Sequence, residues 1–84
     1  MLNTDPGVLV LVEEPLRHEI VSAVRTNGYE AHACKTPLDV IQILERHGKR
    51  IAYAVLSPAA PRALEIRELI ADEYPAIQPL VLSS

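Results

Sequence analysis

Val8-Leu9-Val10-Leu11-Val12 is an unbroken apolar run directly after Pro6-Gly7. A strand with one face in water alternates polar and apolar residues. An unbroken run rich in β-branched residues is instead the habit of a strand buried on both faces, as in a parallel sheet covered by helices. The run is far too short to cross a bilayer. The rest of the chain must therefore supply strands beside this one and helices above and below it.

It does so in alternation. Pro15 suits a first helical position, and Leu16, Ile20 and Val24 recur every four residues, with Val21 and Ala23 beside the stripe. Asn27-Gly28 is a stop, since both tolerate a left-handed cap. Tyr29 to Cys34 is short and alternating, which predicts an edge strand. Thr36-Pro37-Leu38-Asp39 opens a second helix with a capping box, Val40, Ile41, Ile43 and Leu44 form its apolar face, and Gly48 ends it. Ile51 to Leu56 predicts a third strand. Ser57 to Pro61 is a loop, because two prolines do not sit inside a strand. Pro61 can start a third helix running through Glu73, with Leu64, Ile66, Leu69 and Ile70 apolar, closed by Tyr74-Pro75. Leu80 to Leu82 predicts a fourth strand.

Alternating strands and helices with right-handed crossovers give a parallel sheet with helices on both faces. The expectation is one α/β domain over residues 1–84, three-layered and doubly wound in the flavodoxin-like manner. It has four strands in the order 2-1-3-4 and three helices. Placing strand three beyond strand two is the alternative order.

Composition narrows the function classes. The 84 residues are 49% hydrophobic, with both charge signs present, so a folded core is expected rather than disorder. The net charge is −3, and the eight basic residues read as scattered, so nucleic-acid binding by this segment is not expected. A single cysteine, Cys34, excludes an internal disulfide and fits a reducing compartment. The opening MLNTDPG has neither a basic region nor a long apolar one, so no signal peptide is expected and the cytoplasm is the default location. His18, His32 and His47 share no metal-ligand spacing with one another or with Cys34, and Glu14 and His18, four apart, read as a surface contact. No glycine-rich phosphate loop and no G-x-S-x-G elbow is present. No cofactor and no metal are expected.

Four stretches together carry a family resemblance. Val8 to Val12 followed by Glu13-Glu14-Pro15-Leu16-Arg17 looks like the opening of a response-regulator receiver domain, an apolar strand leading into acidic residues and a proline. Asn27-Gly28-Tyr29-Glu30-Ala31 is similar to that family's turn into strand two. Ser57-Pro58-Ala59-Ala60-Pro61 resembles its phosphorylation loop, and Leu80 to Ser84 its fourth strand and switch hydroxyl.

The resemblance implies the receiver scaffold without its reaction. The degenerate phosphorylation-site positions are Val12 and Glu13 for the two acids, Ser57 for the phosphoacceptor and Ser83 for the switch hydroxyl. A receiver needs a carboxylate nucleophile beside Mg²⁺ held by acidic oxygens. Ser57 cannot form an acyl phosphate, and Glu13 is the one acid in the expected metal position. Glu13-Glu14 also suit a helix N-terminus, and Ser57 also suits a loop cap.

The function so implied is a degenerate, non-enzymatic receiver-like module of bacterial two-component-type signalling, acting by protein–protein interaction. The alternatives are the N-terminal part of a longer regulator with an output domain, possibly DNA-binding, or a small α/β enzyme with its pocket at the strand carboxyl ends. Against the full family pattern the chain lacks a fifth strand and a final helix. Leu80, Val81 and Leu82 would then form an open edge beside a bare sheet face, the expected surface for a homodimer or another protein. That face would show either Tyr53 and Val55 or Ala54 and Leu56. No membrane contact is expected.

Overall fold

The computed structural model describes residues 6–60 and 62–82. Strand β1 (Gly7–Leu11) is followed by α1 (Leu16–Thr26), β2 (Glu30–Cys34), α2 (Pro37–His47), a short 3₁₀ turn (Gly48–Arg50), β3 (Ile51–Leu56), α3 (Ala63–Glu73) and β4 (Gln78–Val81). The four strands form one sheet in the order β2-β1-β3-β4, with every pairing parallel. This is the flavodoxin-like winding that the alternation of elements predicts. The chain travels outward from β1 to β2, then returns past β1 to β3 and β4. Right-handed crossovers then put α1 on one face and α2 and α3 on the other.

The pleat of β1 and β3 sorts the core into two. Leu9 and Leu11 join Ala54 and Leu56 beneath α2 and α3, where Cys34, Val40, Leu44, Ile66, Ile70 and Ile77 complete a buried cluster. Val8, Val10 and Val12 face the other way, where half-buried Ile20, Val21 and Val24 of α1 meet Tyr29, Val55 and Leu82. Every residue of β1 is buried, as the unbroken apolar run requires.

Local signals explain the element ends. Thr36 Oγ1 accepts the Asp39 N–H while Asp39 Oδ2 accepts the N–H groups of Lys35 and Thr36, so the capping box is complete. Gly28 takes φ +87°, the left-handed region that a side chain makes costly, and turns the chain from α1 towards β2. Gly48 has a different role. Its backbone stays right-handed, and a Cβ there would lie 2.7 Å from Tyr74 Cε1, so it is the closeness of the Tyr74 ring that calls for glycine.

Several boundaries and faces depart from the sequence reading. Val12 lies just past β1 rather than in it, though it stays buried. Tyr29 precedes β2. Pro15 is the residue before α1 rather than its first. The third helix begins at Ala63, after Arg62 at φ +55°, and Pro61 lies outside the described residues. Leu64 is 65% exposed and Ala63 takes its place in the core, because the start of the helix is rotated relative to the Ile66–Ile70 stripe. Leu16 and Ile41 are likewise at the surface. Strand β4 starts at Gln78, two residues before the expected Leu80. Leu82 falls after it but still donates its N–H to Leu56 O at 2.9 Å.

That last bond fixes the orientation of the outer strand. In a parallel ladder both backbone groups of one residue face the same neighbour, and alternate residues face opposite ways. Gln78 and Leu80 therefore face β3 with Leu82, while Pro79 and Val81 face the free edge. Pro79 has no N–H to offer there, the usual way that an edge is blunted against further pairing. Among the described residues no helix is long and apolar enough to cross a membrane.

Candidate functional site

An open doubly wound sheet has its crevice where consecutive crossovers diverge, at the carboxyl ends of the strands. Here that point lies between β1 and β3, and it collects Val12, Glu13, Glu14 and Ser57. Sequence positions 44 apart become hydrogen-bonded: Ser57 Oγ donates to Glu13 Oε2 at 3.0 Å. The same Oγ accepts the Ala59 N–H at 3.3 Å, and the Ser57 N–H donates to Leu11 O at 3.0 Å. Ser57 is only 4% exposed, and it is the one buried polar side chain among the described residues. It is the pin that ties the loop after β3 to the end of β1.

Glu14 is paired in turn with a cation. Arg17, the second residue of α1, reaches back to Glu14 at 2.9 Å and donates to Val12 O at 3.4 Å. The Arg17 hydrogen bond holds the Glu14 carboxyl below its ordinary value, so Glu14 stays anionic. Lys35, at the end of β2, lines the same small pocket of about 230 Å³ with Glu13, Glu14, Arg17, Ala59 and Ala60. Two carboxylates face two cations, and one carboxylate already accepts a serine hydroxyl. Mg²⁺ seeks about six oxygens in near-octahedral array. Among the described residues no group of three or more His, Cys, Asp or Glu side chains could hold a metal ion.

The structure thus brings Val12, Glu13 and Ser57 together, and adds Glu14, Arg17 and Lys35. Ser83 lies outside the described residues. Glu14 pairs with Arg17 by an ion pair, although the four-residue spacing had pointed to His18. Cys34 is fully buried, and burial pushes its thiol up to about 12, which leaves it without thiolate at neutral pH.

The surface expected for association divides between the two faces. Tyr53, Val55 and Leu80 lie on the α1 face, where with Val8, Val24 and Tyr29 they line an apolar groove of about 260 Å³ between α1 and the outer strands. Ala54 and Leu56 are sealed on the other face. Leu82 packs against the α1-face cluster, whereas Val81 is exposed and takes no part in the groove. Tyr29 and Tyr53 meet edge to face across β1, with ring centroids 6.2 Å apart.

Two features escape sequence spacing. His32 and His47 stack at 5.1 Å, although they are fifteen positions apart, because α2 runs back over β2 and returns its last turn to the strand's start. His32 also pairs with Glu30 at 3.0 Å. Burial lowers the His32 pKa, Glu30 opposes that, and His47 and Arg50 add to the lowering. Further, the basic residues are not all scattered: Arg46, Lys49 and Arg50 gather around the 3₁₀ turn. The string Arg-His-Gly-Lys-Arg at 46–50 was the available signal for it.

The chain matches no protein-family model, no curated protein and no solved structure.

Proposed function

We propose that this chain is a degenerate receiver-like module of bacterial two-component-type signalling, cytoplasmic, acting by protein–protein contact without aspartyl phosphorylation. The observation that carries this reading is the Ser57–Glu13 hydrogen bond at the switch point of a 2-1-3-4 parallel sheet. In a receiver the same place would hold a free phosphoacceptor carboxylate and a cation. Here a buried serine is held by a carboxylate, Val12 fills the first acid position with hydrocarbon, and Arg17 supplies a fixed positive charge to Glu14. A fixed guanidinium also removes the need for a metal to hold the loop after β1 in place.

Such a scaffold has one conformation at this end rather than a phosphorylated and an unphosphorylated one. Its output is then binding. The apolar groove beside α1 is the surface proposed for a protein partner, including a second copy. Pro79 argues for contact through that face rather than through strand pairing at the β4 edge.

Incubation with Mg²⁺ and acetyl phosphate tests the reading. Intact mass is expected to stay unchanged over hours, and Ser57→Ala is expected to behave identically. An acid-labile phosphoryl adduct on any carboxylate overturns it.

A further inference from the structure

The amino-terminal end of the sheet, opposite the switch point, gathers positive charge around the 3₁₀ turn. Among the described residues Arg46, Lys49 and Arg50 form no ion pair, nor do Arg25, Lys35 and Arg67, but the first three stand together around one turn. Arg46, Lys49 and Arg50 all border a basin of about 580 Å³, together with Leu44, Gly48 and Tyr74. Lys49 and Arg50 also border a second basin of about 510 Å³ beside Ile51 and Ala76, so they are common to both. Among the described residues Glu45 is the one acid lining either basin. The helix dipole accounts for Arg46 and His47 in the last turn of α2, but its effect fades within that turn, and Lys49 and Arg50 lie beyond the Gly48 cap.

We propose that the larger basin is a binding site for a small, multiply charged oxyanion of the phosphate class, held by Arg46, Lys49 and Arg50. Two guanidinium forks and an ammonium suit such a ligand, since charge-assisted bonds to phosphate oxygens are the strong ones. Three cations with no aromatic stacking track are too few to follow a nucleic-acid backbone, so the ligand is a compact one.

The stacked imidazoles couple this site to protons. Glu30 on β2 and Arg50 on the 3₁₀ turn act on His32, while His47 lines the basin with Glu45, Arg46, Lys49, Arg50 and Tyr74. Burial, with His47 and Arg50 adding to it, lowers the His32 pKa, and an anion bound beside the stack offsets the cost of charging His32. Affinity therefore rises as pH falls. This site is independent of the receiver-like reading, which concerns the other end of the sheet.

The test is an NMR titration of the whole chain, amide by amide, with inorganic pyrophosphate at low ionic strength. Saturable shifts centred on residues 46–50 and Tyr74 are expected, and with sulfate, whose charge is the same at both values, binding is expected to be tighter at about pH 6 than at about pH 8. Lys49→Gln and Arg50→Gln, both at exposed positions, are each expected to weaken binding about tenfold, with the spectrum otherwise unchanged. Sodium chloride at matched ionic strength reproducing the shifts, either variant keeping full affinity, or shifts centred elsewhere would each overturn the site. Sulfate binding that does not strengthen at the lower pH would overturn the coupling to the histidine pair.

Discussion

Leu9, Leu11, Ala54 and Leu56 point into a face that α2 and α3 close over, whereas Val8, Val10 and Val55 of the same two strands point into a face that, among the described residues, α1 is the one helix to cover. On the first face α2 and α3 each bury side chains completely: Val40, Leu44, Ala63, Ile66 and Ile70. On the second, α1 buries none, and its Ile20, Val21 and Val24 are only partly covered. The strands are shared, so the difference lies in what lies above them. One helix spans about 10 Å, roughly two strand spacings, and α1 sits over β1 and β2. Half of that face is left to Tyr53, Val55 and Leu80. The closed face is where the stability of the fold is concentrated, and the half-open face is where a partner has room.

Truncating the same residue type on each face should expose this difference most strongly. Ile70→Ala leaves a cavity in a fully buried site and is expected to cost about 2–5 kcal/mol in denaturant unfolding. Ile20→Ala on the half-open face, where water and neighbours can fill the gap, is expected to cost about 1 kcal/mol. Equal losses would mean that α1 is packed as tightly as α3 and would remove the contrast.

The Ser57 pin is the next largest effect. Ser57→Ala removes the hydroxyl that bonds Glu13 and the Ala59 N–H, at an expected cost of about 1–2 kcal/mol. Glu13→Gln keeps an acceptor for the hydroxyl and is expected to cost less than Ser57→Ala. The reverse order would show that the carboxylate charge, rather than the hydrogen bond, holds the loop.

The α2 cap gives a pH-dependent comparison within the closed face. The N–H groups of Lys35 and then Thr36 hold the Asp39 carboxyl below its ordinary value. A carboxyl whose folded value is lowered stabilises the fold above its unfolded value, and that contribution is lost as pH falls through the folded value. Asp39→Asn should therefore be less stable than the parent at neutral pH, and the two should converge below about pH 4. Parallel unfolding curves down to acid would show that the box contributes through geometry alone.

How much of this was legible in the sequence depended on the range of the signal. The parallel order followed from Val8–Val12 and from the alternation of elements, because burial on both faces leaves a strand few other homes. The α2 cap was readable at three-residue range, and the Gly28 turn within two. The rotation at the start of α3 was not readable, since Leu64 and Ala63 are both acceptable in an apolar stripe and only the fixed position of Ile66 and Ile70 decides between them. The Ser57–Glu13 contact required knowing that β1 and β3 are neighbours. Arg17 and Lys35 joined the site through helix and sheet geometry that no motif encodes. The His32–His47 stack depends on the return angle of α2, which spacing does not carry.

The half-open face also sets the size of any self-association, and this is the smallest effect expected. The bare strip is about 10 Å wide, two strand spacings, and about 17 Å long for strands of this length. Even with the flank of α1 it offers a few hundred Å², against roughly 800 Å² per partner in a stable complex. Pro79 removes the donor that would let a second copy extend the sheet, so backbone pairing at β4 adds little to that area. A second copy should therefore bind weakly by stacking on Leu80 and Tyr53, which are 44% and 37% exposed. Sedimentation equilibrium is expected to show a monomer at low micromolar concentration and a growing dimer fraction towards the millimolar range. Leu80→Lys puts a charge in the groove and is expected to abolish the dimer while changing monomer stability by less than about 0.5 kcal/mol, as surface changes usually do. A tight dimer at nanomolar concentration would mean that a surface other than this strip is in use. A dimer that survives Leu80→Lys but is lost on Val81→Lys would place the contact at the β4 edge despite Pro79.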